Sequence, residues 1–319
     1  MSIYNIISDS DITSEISQCL RNRYLDQKFL YDWEAASLYY KFYEEDPLFT
    51  HSKKNSDELD IIWFWLKNCF KKGERVALIS LWCWNSHIER DIFKNIWDDF
   101  DIDYFWVDLS KDMLKLSEKN LENLNINKKL ICADFSSEKF IDEIYKLTKK
   151  YDKRIFTFFS NTFWNINHTN IIDLLYNILN SWEQIWLDVR IRNGNSTKDD
   201  LEIFNIHKLD NNKTTLEKIL GSVFVKNWIA LENWYFSKVL KKEDSVNALK
   251  LEFYFNLKNK LVIDIKWQKI TLLPWEKIKC QQIYYHDPEK LIDFFKEHNF
   301  RLVDKEIKWH RWQFLFEKL

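Results

Sequence analysis

The sequence predicts an α/β chain with a mostly parallel, doubly wound sheet and a smaller α+β part beside it. Between residues 76 and 190, five short apolar runs alternate with helical patterns. This is the signature of parallel strands joined by crossover helices. The chain has 319 residues, 46% of them hydrophobic, which suits one large or two modest domains. After Arg190 the alternation breaks, and strand-like runs follow one another without intervening helices.

The elements follow in order. Residues 1–57 read as helical and precede the first strand, and 58–72 form an apolar-periodic helix with a basic end, Lys71-Lys72-Gly73. Strand 76–81 leads to a helix over roughly 86–98, strand 103–107 to helix 111–122, and strand 129–133 to helix 137–149. Strand 154–159 leads to helix 168–181, and strand 184–190 closes the series. Each crossover is expected to be right-handed. Residues 191–213 are polar, with a turn at Asn193-Gly194-Asn195-Ser196, and 214–235 look helical. Residues 249–257 and 260–271 read as two strands and 277–285 as a third. A helix over 288–298, with His286-Asp287-Pro288 as its N-cap, precedes a final strand pair at 300–307 and 311–317. There is no internal repeat or low-complexity tract.

Composition excludes several classes. The net charge is −2 with acids and bases mixed, so no basic face marks a nucleic-acid binder. No apolar run approaches the ~20 residues of a membrane span, and Met1-Ser2-Ile3-Tyr4-Asn5 does not open like a signal peptide. The five cysteines are scattered, with no CxxC and no Cys/His cluster at zinc spacing. They read as reduced core residues of a cytoplasmic protein that binds no metal.

One feature of the composition is out of line. There are sixteen tryptophans and three glycines, where average usage of roughly 7% would give about twenty glycines. Several tryptophans stand where a turn asks for glycine, as in Leu81-Trp82-Cys83-Trp84-Asn85-Ser86, Phe105-Trp106-Val107-Asp108 and Phe163-Trp164-Asn165. Glycine takes φ > 0 and lets a ligand approach the backbone; tryptophan does neither. The pattern predicts UGA codons that the source reads as glycine but that are written here as tryptophan. Trp63, Trp65 and Trp234, in aromatic apolar runs, read as true tryptophans. The alternative is a Trp-rich protein that uses these side chains for packing.

Four loops follow successive strands, at the sheet edge where open α/β sheets bind ligands. The first is Leu81–Ser86, in which Trp82, Cys83, Trp84 and Ser86 would surround the cofactor if the tryptophans are glycines. The second holds Asp108, an acid placed to accept both ribose hydroxyls of an adenosine. The third holds Asp134-Phe135, an acid to bind the adenine amino group and a ring to cover it. The fourth is Ser160-Asn161-Thr162-Phe163-Trp164-Asn165. Asp108 and Asp134 could instead be helix N-caps, and Asn165 a turn residue. Cys83 and Ser86 read as spacers, since no histidine is placed as a partner base, and His87, His207 and His298 read as solvated or structural. A dinucleotide site would want a third glycine at position 87, which is His. The loops therefore favour S-adenosylmethionine (SAM) over a nicotinamide cofactor.

These loops, with Lys28-Phe29-Leu30-Tyr31-Asp32-Trp33-Glu34 and Pro274-Trp275-Glu276, resemble the SAM-dependent histidine-specific methyltransferases, whose best-known member methylates the histidine α-amine on the way to ergothioneine. The resemblance implies a class I SAM methyltransferase: a Rossmann-like, mostly parallel seven-stranded sheet with a C-terminal antiparallel hairpin. Residues 58–195 with 284–319 would form the SAM-binding domain, and 1–57 with 196–283 a substrate domain. It further implies that Asn165 grips the substrate amine or carboxylate and that Tyr31 lines the cleft, both in catalytic roles. Ser160 would contact the cofactor, and Gln281, Ile283 and Phe204 the substrate. At Gln281-Gln282-Ile283 this chain departs from the family's Glu-x-Ser, which holds the imidazole, so fold and cofactor carry over better than histidine does. The expected activity is N-methylation of the α-amine of a small amino-acid substrate, histidine or a histidine-like one, by a monomer. The second reading is a SAM- or partner-binding relative that has lost the chemistry.

Overall fold

The computed structural model describes residues 2–30, 35–38, 69–82, 86–96, 100–159, 163–191, 217–221, 224, 233–243, 246–265, 268–308 and 311–319. Its main sheet takes strands β1 (Tyr4–Asn5), β2 (Arg75–Leu81), β3 (Asp101–Asp108), β4 (Asn127–Cys132), β5 (Lys153–Phe158), β6 (Gln184–Arg190), β12 (Phe300–Lys308) and β13 (Arg311–Lys318). They lie in the order β1-β4-β3-β2-β5-β6-β13-β12. All neighbours pair in parallel except β13, which is antiparallel to both β6 and β12. Without the short β1, the order is 3-2-1-4-5-7-6 with the seventh strand reversed. This is the class I methyltransferase fold.

Helices α1 (Asp9–Arg21), α2 (His87–Ile96), α3 (Lys111–Asn120), α4 (Glu138–Thr148), α5 (His168–Ile178) and α6 (Pro288–Glu297) lie between these strands along the chain. The double winding follows from the period-two alternation of β2. Ala77, Ile79 and Leu81 join Phe140, Ile144, Ile171, Leu175 and Phe295 on one face of the sheet, under α4, α5 and α6. Val76 and Leu78 join Ile92, Phe93, Leu114 and Leu121 on the other, under α2 and α3.

A second sheet, in the order β11-β8-β7, is antiparallel and consists of β7 (Trp234–Glu243), β8 (Ala248–Leu257) and β11 (Lys277–Tyr285). Strands β9 (Leu261–Ile265) and β10 (Gln268–Leu272) pair as a separate antiparallel couple. The apolar face of β8, with Leu249, Leu251, Phe253 and Phe255, packs on Cys19 and Leu20 of α1 and on Phe29 and Leu30.

Several expectations change. The sheet has eight strands, because Tyr4 and Asn5 pair with Ile131 and Cys132 at its edge. A two-residue strand carries too little periodicity to show in the sequence, and the N-terminal segment is therefore not wholly helical. The expected helix over 214–235 is helical at 217–221 and 224, but from Trp234 the chain is strand. The run Trp234-Tyr235-Phe236 favours β structure, and at its start buried and exposed residues alternate. The single strand expected over 260–271 is two, β9 and β10. Residues 58–68 of the expected second helix lie outside the described residues. Asp287 caps α6 as expected, accepting from the Glu289 and Lys290 N–H groups, with Pro288 in the first turn.

Candidate active site

The order of the sheet reverses at β2, which has β3 on one side and β5 on the other. Ligands bind open α/β sheets at such a switch point, outside the C-terminal strand ends. A cavity of about 560 Å³ opens there, between the ends of β2, β3 and β4, the N-terminal half of α5, residues 24–28 and the second sheet. This volume is within the range of small-molecule sites.

Of the expected cofactor residues, Trp82, Asp108, Asp134 and Phe135 line the cavity. Asp108 is buried at the end of β3, and one carboxylate oxygen accepts from Ser110 N–H at 2.9 Å. Asp134 accepts from Ser136 N–H at 2.9 Å and from its hydroxyl at 2.6 Å. Neither is a helix N-cap: Ser110 caps α3 and Ser137 caps α4. Phe135 stands edge-on to Phe158, with ring centroids 5.8 Å apart. Ser86 is buried where α2 begins, its carbonyl accepting from Arg90 N–H, and is not a lining residue. Cys83, Trp84, Ser160, Tyr31 and Phe204 lie outside the described residues.

Trp82 takes a left-handed backbone, as Arg23, Ser86, Asn247 and Asn299 also do. Its φ is 60°, the left-handed region, which costs an L-residue roughly 1–2 kcal/mol. Its N–H donates to Val107 at 2.8 Å, and its indole is buried against Phe135 at 6.3 Å between centroids. The indole therefore stands among the groups expected to hold a nucleoside. Trp182 has φ 72° as well. At Trp106, by contrast, φ is not positive and the indole is buried beside Tyr104, so the backbone there does not call for glycine.

The other wall comes from the N-terminal segment. Leu25 N–H donates to the Lys279 carbonyl at 2.7 Å and Lys279 N–H to the Arg23 carbonyl at 3.2 Å, which holds this segment along β11. A 3-10 turn over Gln27–Phe29 follows, capped by the Asp26 carboxylate. It places Lys28 Nζ 2.5 Å from Asp134 and against Glu15. Burial alone would raise the Asp134 carboxyl, but Lys28 and Ser136 outweigh it and hold its pKa below the usual value. Burial likewise opposes the Lys28 charge, yet Asp134 and Asp26 hold it above the ordinary lysine value. Breaking a largely buried pair strands a charge. Lys28→Met is therefore expected to destabilise the fold by about 3 kcal/mol, read from urea unfolding at pH 7.

Asn165 ends a 3-10 turn over Phe163–Asn165, anchored by the buried Phe163 ring against Phe158, Phe295 and His286. Gln27, which lines the cavity, donates its amide N–H to the Asn165 carbonyl. Gln27 Oε1 and Asn165 Oδ1 are both buried and have no hydrogen-bond partner among the described residues. An orphaned acceptor at the cavity, Gln27 Oε1, suits a donor such as an amine; Asn165 itself is not a lining residue, although the next residues, Ile166 and Asn167, are.

Gln281 lines the cavity, but Ile283 does not: it is buried in the core of the second sheet. The strand bulges between Lys279 and Gln281, so Gln281 keeps the core-side parity of Ile283 and still reaches the cavity at the bulge. Gln27, Asp26, Lys250 and Lys279 also line it, and sequence reasoning missed them. For Gln27 and Asp26 the signal was their place just before Lys28-Phe29. For the two lysines there was none, since only strand pairing brings them together.

No protein-family model matches the chain, and no curated protein matches it. Among solved structures, the chain is similar to a S-adenosylmethionine-dependent methyltransferase from Clostridium acetobutylicum at 11% identity and TM-score 0.47, covering 88% of this chain and 98% of that one. It is similar to a SAM-dependent methyltransferase from Methanosarcina mazei at 9% identity and TM-score 0.42, covering 80% and 96%. It is also similar to DesVI from Streptomyces venezuelae at 11% identity and TM-score 0.40, covering 85% and 96%. At these values the fold rests on strand order and register, as given above.

Proposed function

We propose that the chain is a SAM-dependent N-methyltransferase acting on the α-amine of an amino acid. The observation that carries this reading is the buried, orphaned acceptor Gln27 Oε1 at a cavity whose other wall holds Asp108, Asp134 and Phe135, with a second orphaned acceptor, Asn165 Oδ1, on the turn that Gln27 bonds. When bound, SAM supplies an electrophilic methyl group on a sulfonium, so the protein need provide only binding and alignment. Asp108 would take the ribose hydroxyls, and Phe135 would cover the adenine. Asp134 can accept from the adenine amino group only beside its bond to Lys28. Asn165 and Gln27 would hold the acceptor nitrogen by its N–H groups, leaving its lone pair to face the methyl group. Asp26 lines the same cavity, and burial pushes its carboxyl above the usual value. It is therefore suited to take the proton that the amine must lose.

The split into a SAM-binding part (58–195 with 284–319) and a substrate part (1–57 with 196–283) belongs to the same proposal. So do the cofactor contacts of Cys83, Trp84, Ser86 and Ser160, and the cleft positions of Tyr31 and Phe204. Glycine at position 82, decoded from UGA, is part of it as well. The buried indole of Trp82 favours the second reading, a relative that no longer transfers methyl groups, if the codon is UGG.

The test is label transfer from methyl-labelled SAM to a panel of free amino acids, on protein with glycine at 82 and 84. Transfer to an α-amine is expected. Gln27→Leu should raise the acceptor KM by about tenfold with SAM affinity unchanged, the loss of one hydrogen bond to a buried partner. SAM binding with no transfer to any acceptor would leave the non-catalytic reading standing.

A further inference from the structure

The cavity's acids lie to one side, where Lys28 is paired with Asp134. Its carboxylates, Asp26, Asp108 and Asp134, come from the 3-10 turn and the ends of the main sheet. The second sheet contributes Lys250, Lys279, Gln281 and Gln282 to the lining and no acid. The lysines meet there because β8 pairs with both neighbours: Lys250 lies opposite Lys241 and Tyr284, and Glu252 opposite Gln282. Glu252, buried behind them, is shared. Its carboxylate lies 2.5 Å from Lys241 Nζ, 3.3 Å from Lys250 Nζ and 3.9 Å from Lys279 Nζ, and it accepts from Tyr254 at 2.5 Å. Glu243 stands 3.9 Å from Lys250, and Asp26 acts on Lys279 electrostatically. Three ammonium groups offer more donors than one carboxylate can accept. Two of the three face the cavity, beside Gln281, where an imidazole-binding carboxylate would have been expected.

We propose that Lys250 and Lys279 form the specificity subsite for the acceptor's side chain, and that this side chain ends in an anionic group, a carboxylate or a phosphate, rather than an imidazole. The inference rests on the amino-acid methyltransferase reading for the direction in which the substrate lies. A glutamine at 281 fits it: the amide can donate to an anion, where a glutamate would repel it. The N-terminal end of α5 also opens on this part of the cavity, through Asn167 and Asn170, and favours negative charge there.

Calorimetry on the full chain with glycine at 82 and 84, with and without saturating SAM, tests this with glutamate, O-phosphoserine, glutamine and histidine as probes. Glutamate or O-phosphoserine is expected to bind about tenfold or more tightly than glutamine and histidine, the size of one charge-assisted hydrogen bond. Whichever acid binds better identifies the anion as carboxylate or phosphate. Lys250→Met and Lys279→Met, made separately and checked for folding by thermal melting, should each reduce that preference and leave SAM binding intact. Glutamine or histidine binding as well as the acids, or no probe binding at all, overturns the inference. Heat from an acid with none from SAM would instead defeat the methyltransferase reading and leave the anion subsite standing.

Discussion

Glycine at positions 82 and 84 is expected to bring SAM binding to a chain that otherwise shows little, a gain of about a hundredfold or more in affinity. The Trp82 indole stands among Asp108, Asp134 and Phe135 at the switch point of the sheet, so removing it opens the nucleoside wall. The stability change has two parts of opposite sign. Loss of a buried indole costs about 3–5 kcal/mol, and release from left-handed φ returns roughly 1–2 kcal/mol. Trp182 separates them. It shares the left-handed backbone, but its side chain is 64% exposed, so Trp182→Gly should stabilise by about 1 kcal/mol with little packing lost. Calorimetry with SAM and urea unfolding of both variants check this. A folded Trp82→Gly, Trp84→Gly chain that binds SAM no better would sink the idea, as would UGG at codon 82.

The second large effect is loss of stability on mild acidification. His168, the first residue of α5, and His286, just before α6, are buried 6.0 Å apart between ring centroids, with Phe163, Tyr284 and Phe294 around them. Burial pushes the His286 pKa down to about 3, with His168 adding to the effect, and that of His168 down to about 4, with Lys250 adding. Neither ring nitrogen of His286 has a hydrogen-bond partner among the described residues. Below pH 6.5 the unfolded chain takes up protons that these folded histidines refuse. Stability is therefore full above about 6.5 and falls as the pH drops towards 4, by up to roughly 1.4 kcal/mol per pH unit for each histidine. The ion pair of Asp134 with Lys28 fails only below about pH 4, where the lowered carboxyl titrates. His286→Phe should roughly halve the fall between pH 6.5 and 4, leaving the part that His168 contributes. Urea unfolding at pH 7.5, 6, 5 and 4.5 reads it, and an unchanged slope in the variant would refute the assignment.

The main sheet was legible because each of its longer strands is an apolar run bounded by a helix pattern. Val76–Leu81 and Ile155–Phe158 bury both faces, so they read as continuous rather than alternating. The acids at 108 and 134 were found for the same reason: they end such runs. The second sheet was harder. Strand β7 begins in Trp234-Tyr235-Phe236, which fits either period over so short a stretch. The lysine subsite could not be read at all, because Lys250 and Lys279 are distant in sequence and meet only across the β8–β11 pairing. Gln27 was passed over because an orphaned amide oxygen is a property of packing, not of residue type. Composition alone marked tryptophan for glycine, but it could not separate position 82, where φ is left-handed, from position 106, where φ is not positive.

The two residues of β1 have a use beyond pairing. They cap the open flank of β4 through Tyr4, Asn5 and the Ile6 N–H bond to the Cys132 carbonyl, and the Tyr4 hydroxyl is pinned to Glu143 at 2.7 Å. Without them, the end of β4 would present bare amide and carbonyl groups to any passing chain, the geometry from which sheets grow between molecules. Residues 4–6 thus shield this edge of the sheet from pairing with another chain.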